Sequence, residues 1–170
     1  MDLRDAGPAE ELEITRTFDA PQVMVWKAFT DADVLAKWWG PKGFDWIRGT
    51  MELRPGGVFH YGMRAHGGTM EMWGKWVFQE ISPIDSMVFL SSFSDAEGNT
   101  VRSFFSNDFP LEVRNTLTLE EHAGKTTVTL RGGPVRSTEG EIAFFGGMNA
   151  SMQQGFGNAF DQLAEYLRGA

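Results

Sequence analysis

From Glu141 to Leu167 the apolar side chains fall at Phe145, Met148, Met152, Phe156, Phe160, Leu163 and Leu167, in steps of three or four. That period keeps them on one helix face, and Asn149, Gln153, Gln154, Asn158, Asp161, Gln162 and Glu165 take the flanks and back. The spacing predicts a single helix of about 25 residues, on the order of 37 Å long at 1.5 Å per residue. Its stripe is made of Met and Phe rather than Leu and Ile, side chains that adapt to an irregular core or to a guest. Gly155 and Gly157 interrupt it, each at a cost of about 1 kcal/mol against alanine in a helix interior. Gly155 falls beside the stripe, where it admits a ligand or a close approach of the sheet. Gly157 falls on the outer side, where the pattern gives no reason for it.

Upstream the period changes. Leu12, Ile14 and Phe18 alternate with Glu13, Thr15 and Thr17, a strand with one buried face and Arg16 on its apolar side. Asp19-Ala20-Pro21 opens a short helix carrying Val25, Trp26 and Phe29. Thr30-Asp31 opens a second, with Leu35, Trp38 and Trp39, which Gly40-Pro41 ends. From Phe44 to Leu130 the chain reads as five or six strands joined by short Gly-rich turns, and Leu111, Val113, Leu117 and Leu119 show the alternation most cleanly. Asn115 occupies the apolar side among them. Short turns between consecutive strands make the sheet antiparallel. The predicted fold is therefore α+β: a curved antiparallel sheet gripping one long C-terminal helix, with two short helices closing one end. Residues 1–11 read as a loose N-terminus and residues 12–170 as one domain, since 170 residues suit a single core.

Composition narrows the function classes. The net charge of −8, with no Lys/Arg cluster, argues against nucleic acid and against anionic membrane surfaces. The absence of cysteine removes disulfides, thiolate catalysis and Cys-based metal sites. With no signal-like leader and no run near 18 apolar residues, the expectation is a cytoplasmic protein without membrane insertion. His60, His66 and His122 have no metal-binding spacing, so neither a metal nor a cofactor is expected, and His60 reads as a surface residue. Gly155-Phe156-Gly157 lies in a helix and is not a dinucleotide loop.

The runs Arg16-Thr17-Phe18-Asp19-Ala20-Pro21, Val25-Trp26 and Trp38-Trp39-Gly40-Pro41 resemble the opening of the activator of heat-shock protein 90 ATPase homologue family. Pro55-Gly56-Gly57 with Phe59, Gln79-Glu80-Ile81, the loop Phe93-Ser94-Asp95 to Gly98-Asn99, and Gly155-Phe156 extend the likeness over residues 12–168. Phe156 stands where that family usually has Trp. The resemblance implies the START-like helix-grip fold, whose hollow between sheet and helix is expected to hold a small hydrophobic or amphipathic molecule. It also leaves room for a cavity enzyme of polyketide cyclase or hydrolase type, for a chaperone partner, and for a homodimer.

The expected wall of that hollow comprises Trp39, Trp46, Tyr61, Met63, Trp73, Trp76, Phe93, Phe104, Met148, Met152 and Phe156, with Asn115 as a polar member. For each one alone, plain core packing is the simpler reading. No catalytic residue is assigned. Arg16, Glu71, Arg64 and His60 are the ionisable groups whose interior placement would speak for chemistry. An interior Arg16 would seek a carboxylate.

Overall fold

The first alternating run forms β1 (Leu12–Phe18), with Leu12, Ile14 and Phe18 buried. The structure, a computed structural model, describes residues 2–169. Two short helices follow as expected, α1 (Gln22–Thr30) and α2 (Ala32–Trp38). The Asp31 carboxylate caps α2 by accepting from the Asp33 N–H at 2.9 Å. Their buried faces, Val25, Trp26 and Phe29 on α1 and Leu35 and Trp38 on α2, join the main core.

Among the described residues seven strands come next: β2 (Phe44–Met51), β3 (Val58–Ala65), β4 (Glu71–Ser82), β5 (Ser86–Ser94), the two-residue β6 (Thr100–Val101), β7 (Val113–His122) and β8 (Lys125–Pro134). With β1 they make one curved antiparallel sheet in the order β1-β8-β7-β5-β4-β3-β2, with β6 added to β5. Register shifts at Ile47 and Gln79 place bulges in β2 and β4, and bulges bend a sheet and increase its twist.

The single long helix predicted from the apolar stripe is two helices, α3 (Glu139–Gly147) and α4 (Asn149–Arg168). Thr138 and Glu141 start α3 with reciprocal side-chain-to-backbone bonds. Gly146 and Gly147 then weaken the helix, and Met148 leaves it at φ −92°, ψ 5°. The stripe's period survives across this break because one non-helical residue barely changes the count. The C-terminal half of α4 buries Ala159, Phe160, Leu163 and Leu167, with Phe160 edge-on to Phe18 at 5.8 Å. Its N-terminal half leaves Met152 and Phe156 half-buried.

The stretch ahead of β1, expected to be loose, has partners. Arg4 exchanges backbone hydrogen bonds with Ser137, and its guanidinium bonds Glu10 at 2.8 Å and Glu139 at 2.5 Å. No helix among the described residues is long and apolar enough to cross a membrane.

Candidate functional site: a chamber under the last helix

The concave face of the sheet is built from rows of residues in register. One row runs Trp76, Ser91, Val113 across β4, β5 and β7. The next runs Phe89, Asn115, Gly132, Leu12 across β5, β7, β8 and β1. Large side chains stand at the margins and small ones, Ser91 and Gly132, in the middle. A wall so stepped leaves a hollow where α4 passes over it. That hollow is a chamber of about 180 Å³, roofed by Met152, Phe156 and Phe160 and closed at one end by Phe109 and Phe145.

An outer groove of about 720 Å³ adjoins the chamber, and Trp39, Phe93, Phe109, Met152 and Phe156 wall both. The groove runs between the N-terminal half of α4 and the loop after α2, past Gly40, Pro41 and Lys42, and reaches Phe105. Trp39 is the hinge of the two spaces. Its ring lies 5.4 Å from Trp76 and 6.0 Å from Phe156, and its carbonyl accepts the Trp46 indole N–H at 3.1 Å.

Of the predicted wall, Trp39, Tyr61, Trp76, Phe93, Asn115, Met152 and Phe156 line the chamber, and Met148 lines the outer groove. Trp46 stands behind the wall, stacked on Tyr61 at 5.7 Å and on Phe59 at 6.0 Å. Met63 is buried beneath Gly40, whose φ of +109° and closeness to the Met63 sulfur leave no room for a side chain. Trp73 points away from the chamber. It is three residues from the inward Trp76, and an odd step in a strand changes face. There it crosses Gly62, stacks on His60 at 5.2 Å and donates to Glu71 at 2.9 Å. Phe104 is 64% exposed beyond the mouth, edge-on to Phe93 at 6.1 Å.

The ionisable candidates lie outside the chamber. Arg16 reaches Asp161 of α4 at 2.7 Å with its guanidinium 5.8 Å from the Phe18 ring centre, so it has the carboxylate an inward Arg requires. Arg64 and Glu71 pair with each other at 2.7 Å on an exposed strand end, and Arg64 with Trp73 holds the Glu71 carboxyl below its usual range. His60, expected at the surface, is buried on the convex side, covered by Trp73 and held to the Asp95 carbonyl at 3.1 Å. Within the chamber wall Tyr61 is the ionisable group among the described residues; burial pushes its phenol up, with the Trp39 side chain opposing. Gly155 has no close sheet contact and lines the outer groove, and nothing stands near Gly157.

Sequence reasoning missed Ser91, Phe109, Gly132 and Phe145. For Ser91 the signal was present: it sits on the apolar side of β5 with Met87, Phe89 and Phe93, the same anomaly that marked Asn115. Phe109 belongs to a loop without periodicity, and no pattern announces it.

Known structures share this architecture. A protein from Mycobacterium smegmatis superposes with a TM-score of 0.74 at 26% identity, covering 98% of this chain and 96% of that one. A protein from Arthrobacter aurescens gives 0.76 at 24% identity, covering 98% and 91%. One from Nitrosomonas europaea gives 0.74 at 21%, covering 96% and 98%. No curated protein matches the chain. The family described as "Activator of Hsp90 ATPase homolog 1-like protein" matches residues 19–168, nearly all of the helix-grip unit, and the chain belongs to that family.

Proposed function

We propose that this protein binds a small hydrophobic or amphipathic molecule in the chamber beneath α4 and acts in the cytoplasm without transforming its ligand. The observation that carries this is the chamber itself, walled by Trp39, Trp76, Phe89, Phe93 and Phe156, with the outer groove giving it a way in. A chemical step would need a general base within reach. A phenol pushed up by burial stays protonated at neutral pH, so Tyr61 does not supply one.

The test is thermal unfolding with fatty acids, sterols, flavonoids and aromatic polyketides, each well above its dissociation constant. A ligand at 100 times that constant stabilises by about 2.7 kcal/mol, roughly 5–10 °C in Tm for a chain of this size. If no member of the panel moves the transition, and none is protected from water in a ligand-observed NMR measurement, the binding reading is wrong.

A second reading takes its support from the exposed Phe104 and Phe105, 5.4 Å apart at the mouth, together with the family's name. It makes that loop a contact for a heat-shock chaperone or a second copy of the chain. Purified chaperone whose ATPase rate is unchanged by the protein would reject the first, and a monomer by sedimentation would reject the second.

A further inference from the structure

Besides Ser92 and the Tyr61 hydroxyl, the chamber wall carries one polar cluster, Ser91 with Asn115, and its polarity is one-sided. Asn115 is 7% exposed and sits inward on β7, between Phe89 of β5 and Gly132 of β8. Its Nδ2 donates to Ser91 Oγ at 2.8 Å and to the Val113 carbonyl at 3.1 Å. A carbonyl only accepts, so the Val113 bond fixes which end of the amide is nitrogen. The other end, Oδ1, receives no hydrogen bond from any described residue. Every fully enclosed side-chain nitrogen or oxygen among the described residues does have a partner, so Oδ1 faces the open chamber. It lies over Gly132, where a Cβ would come within 2.8 Å of it. The glycine leaves the space that the amide oxygen occupies.

An amide oxygen in an apolar hollow is satisfied only by a donor. An anionic ligand would set its charge against this oxygen's lone pairs. A cation would lose its water with no carboxylate in the chamber wall to replace it. What remains is a neutral donor: water while no ligand is bound, and in its place a hydroxyl or N–H on an otherwise apolar body. The volume limits that body: an engineered apolar cavity of about 150 Å³ binds benzene, so a chamber of about 180 Å³ takes one ring. Anything longer must extend past Trp39 and Met152 into the groove.

We infer that Asn115 is the specificity-determining residue of this chamber and selects a hydroxyl-bearing ring, a phenol or its alicyclic counterpart, through its free Oδ1. The inference rests on the binding reading above and adds the chemical class.

Three one-ring probes test it on the unaltered protein: p-cresol, the smaller toluene, which lacks the donor, and the larger p-methylanisole, in which a methyl group caps it. Dissociation constants come from titration calorimetry or from chemical-shift changes of the tryptophan indole N–H groups. The expected result is p-cresol at least five-fold tighter than either of the others, with 4-methylbenzoate showing no binding. In Asn115→Leu, which removes the amide and its free oxygen together, the three neutral probes become equal within two-fold. Toluene binding as tightly as p-cresol to the unaltered protein overturns the role of Asn115 and leaves the binding reading standing. None of the three binding overturns the assignment of a one-ring ligand, and the larger panel above then decides the binding reading separately. Should Asn115→Leu fail to fold, p-cresol against toluene and p-methylanisole together, one smaller and one larger than it, on the unaltered protein still decides.

Discussion

Ser91→Leu separates a ligand chamber from an ordinary core by the sign of its effect on stability. Ser91 faces inward between Trp76 and Val113, at the lowest point of the wall under a hollow of about 180 Å³. Leucine adds carbon there equivalent to roughly three methylenes, worth about 2 kcal/mol of burial at about 0.8 kcal/mol each. Against this stands the lost bond from Asn115 to Ser91 Oγ, about 1 kcal/mol net. The Asn115 amide keeps the Val113 carbonyl for one of its two N–H groups; the other is left facing the half-open chamber, which holds the loss to the low end of the cost of an unpaired donor. The balance is a stabilisation of about 1 kcal/mol, a rise of roughly 2–4 °C in Tm at this chain length. Were the rings around Ser91 interdigitated, the same change would overpack the core and cost about 1–3 kcal/mol. Urea and thermal denaturation read the sign, and titration with toluene reads the second consequence, since a filled chamber binds at least ten-fold more weakly. A Tm that falls by several degrees with an unchanged urea slope refutes the hollow and every inference built on it.

The two halves of α4 respond differently to truncation: Leu163→Ala, at a fully buried position, costs about 3 kcal/mol, whereas Met152→Ala costs under about 1 kcal/mol because its site is already half open. Met152→Ala instead changes toluene affinity, which calorimetry separates from stability. Gly155→Ala and Gly157→Ala meet open space within 4 Å and raise stability by about 0.5–1 kcal/mol each through helix propensity. By stiffening the roof they slow ligand association in stopped-flow measurements, and an unchanged rate would show that α4 does not move to admit the ligand. Arg4, followed by the Gly7 N–H, draws the Glu10 carboxyl from 4.5 down to about 2. The folded carboxyl thus ionises at lower pH than the unfolded one, so its contribution is present above pH 4.5 and fades as pH falls towards 2. NMR titration of Arg4→Ala returns Glu10 towards 4.5, and a value that stays put would place the cause elsewhere.

Most of the scaffold is legible because period encodes face. The alternation of Leu12, Ile14 and Phe18 and that of Val113, Leu117 and Leu119 fix which sides of β1 and β7 turn inward, and short turns fix the antiparallel order. The break at Met148 is not visible in the stripe, since the apolar steps run through it unchanged, although Gly146-Gly147 marks the place. Trp73 follows parity and not residue type: an aromatic three positions from another shares a helix face but takes the opposite face of a strand. His60 shows the converse failure. It is outward by parity and still buried, because Trp73 crosses Gly62 to cover it, and cover from a neighbouring strand is a tertiary fact.

The hollow has a local cause. Along β5 the inward sequence is Met87, Phe89, Ser91, Phe93, and along β8 it is Val128, Leu130, Gly132. A strand otherwise filled with large residues that drops to Ser or Gly at one inward position lowers the wall there by a side chain's height. Register then decides whether such drops add up: Ser91 and Gly132 sit in adjacent rows, joined by Asn115, so their depressions merge into one chamber. The roof above is the half of α4 with the weakest helix formers, and the buried Phe160, Leu163 and Leu167 anchor only the other half. Strength is therefore concentrated where the helix meets α1, α2 and β1, and slack where it meets the chamber. A sequence selected only for packing has no reason to align its smallest inward residues beneath its least stable stretch of helix. The binding proposed above supplies one.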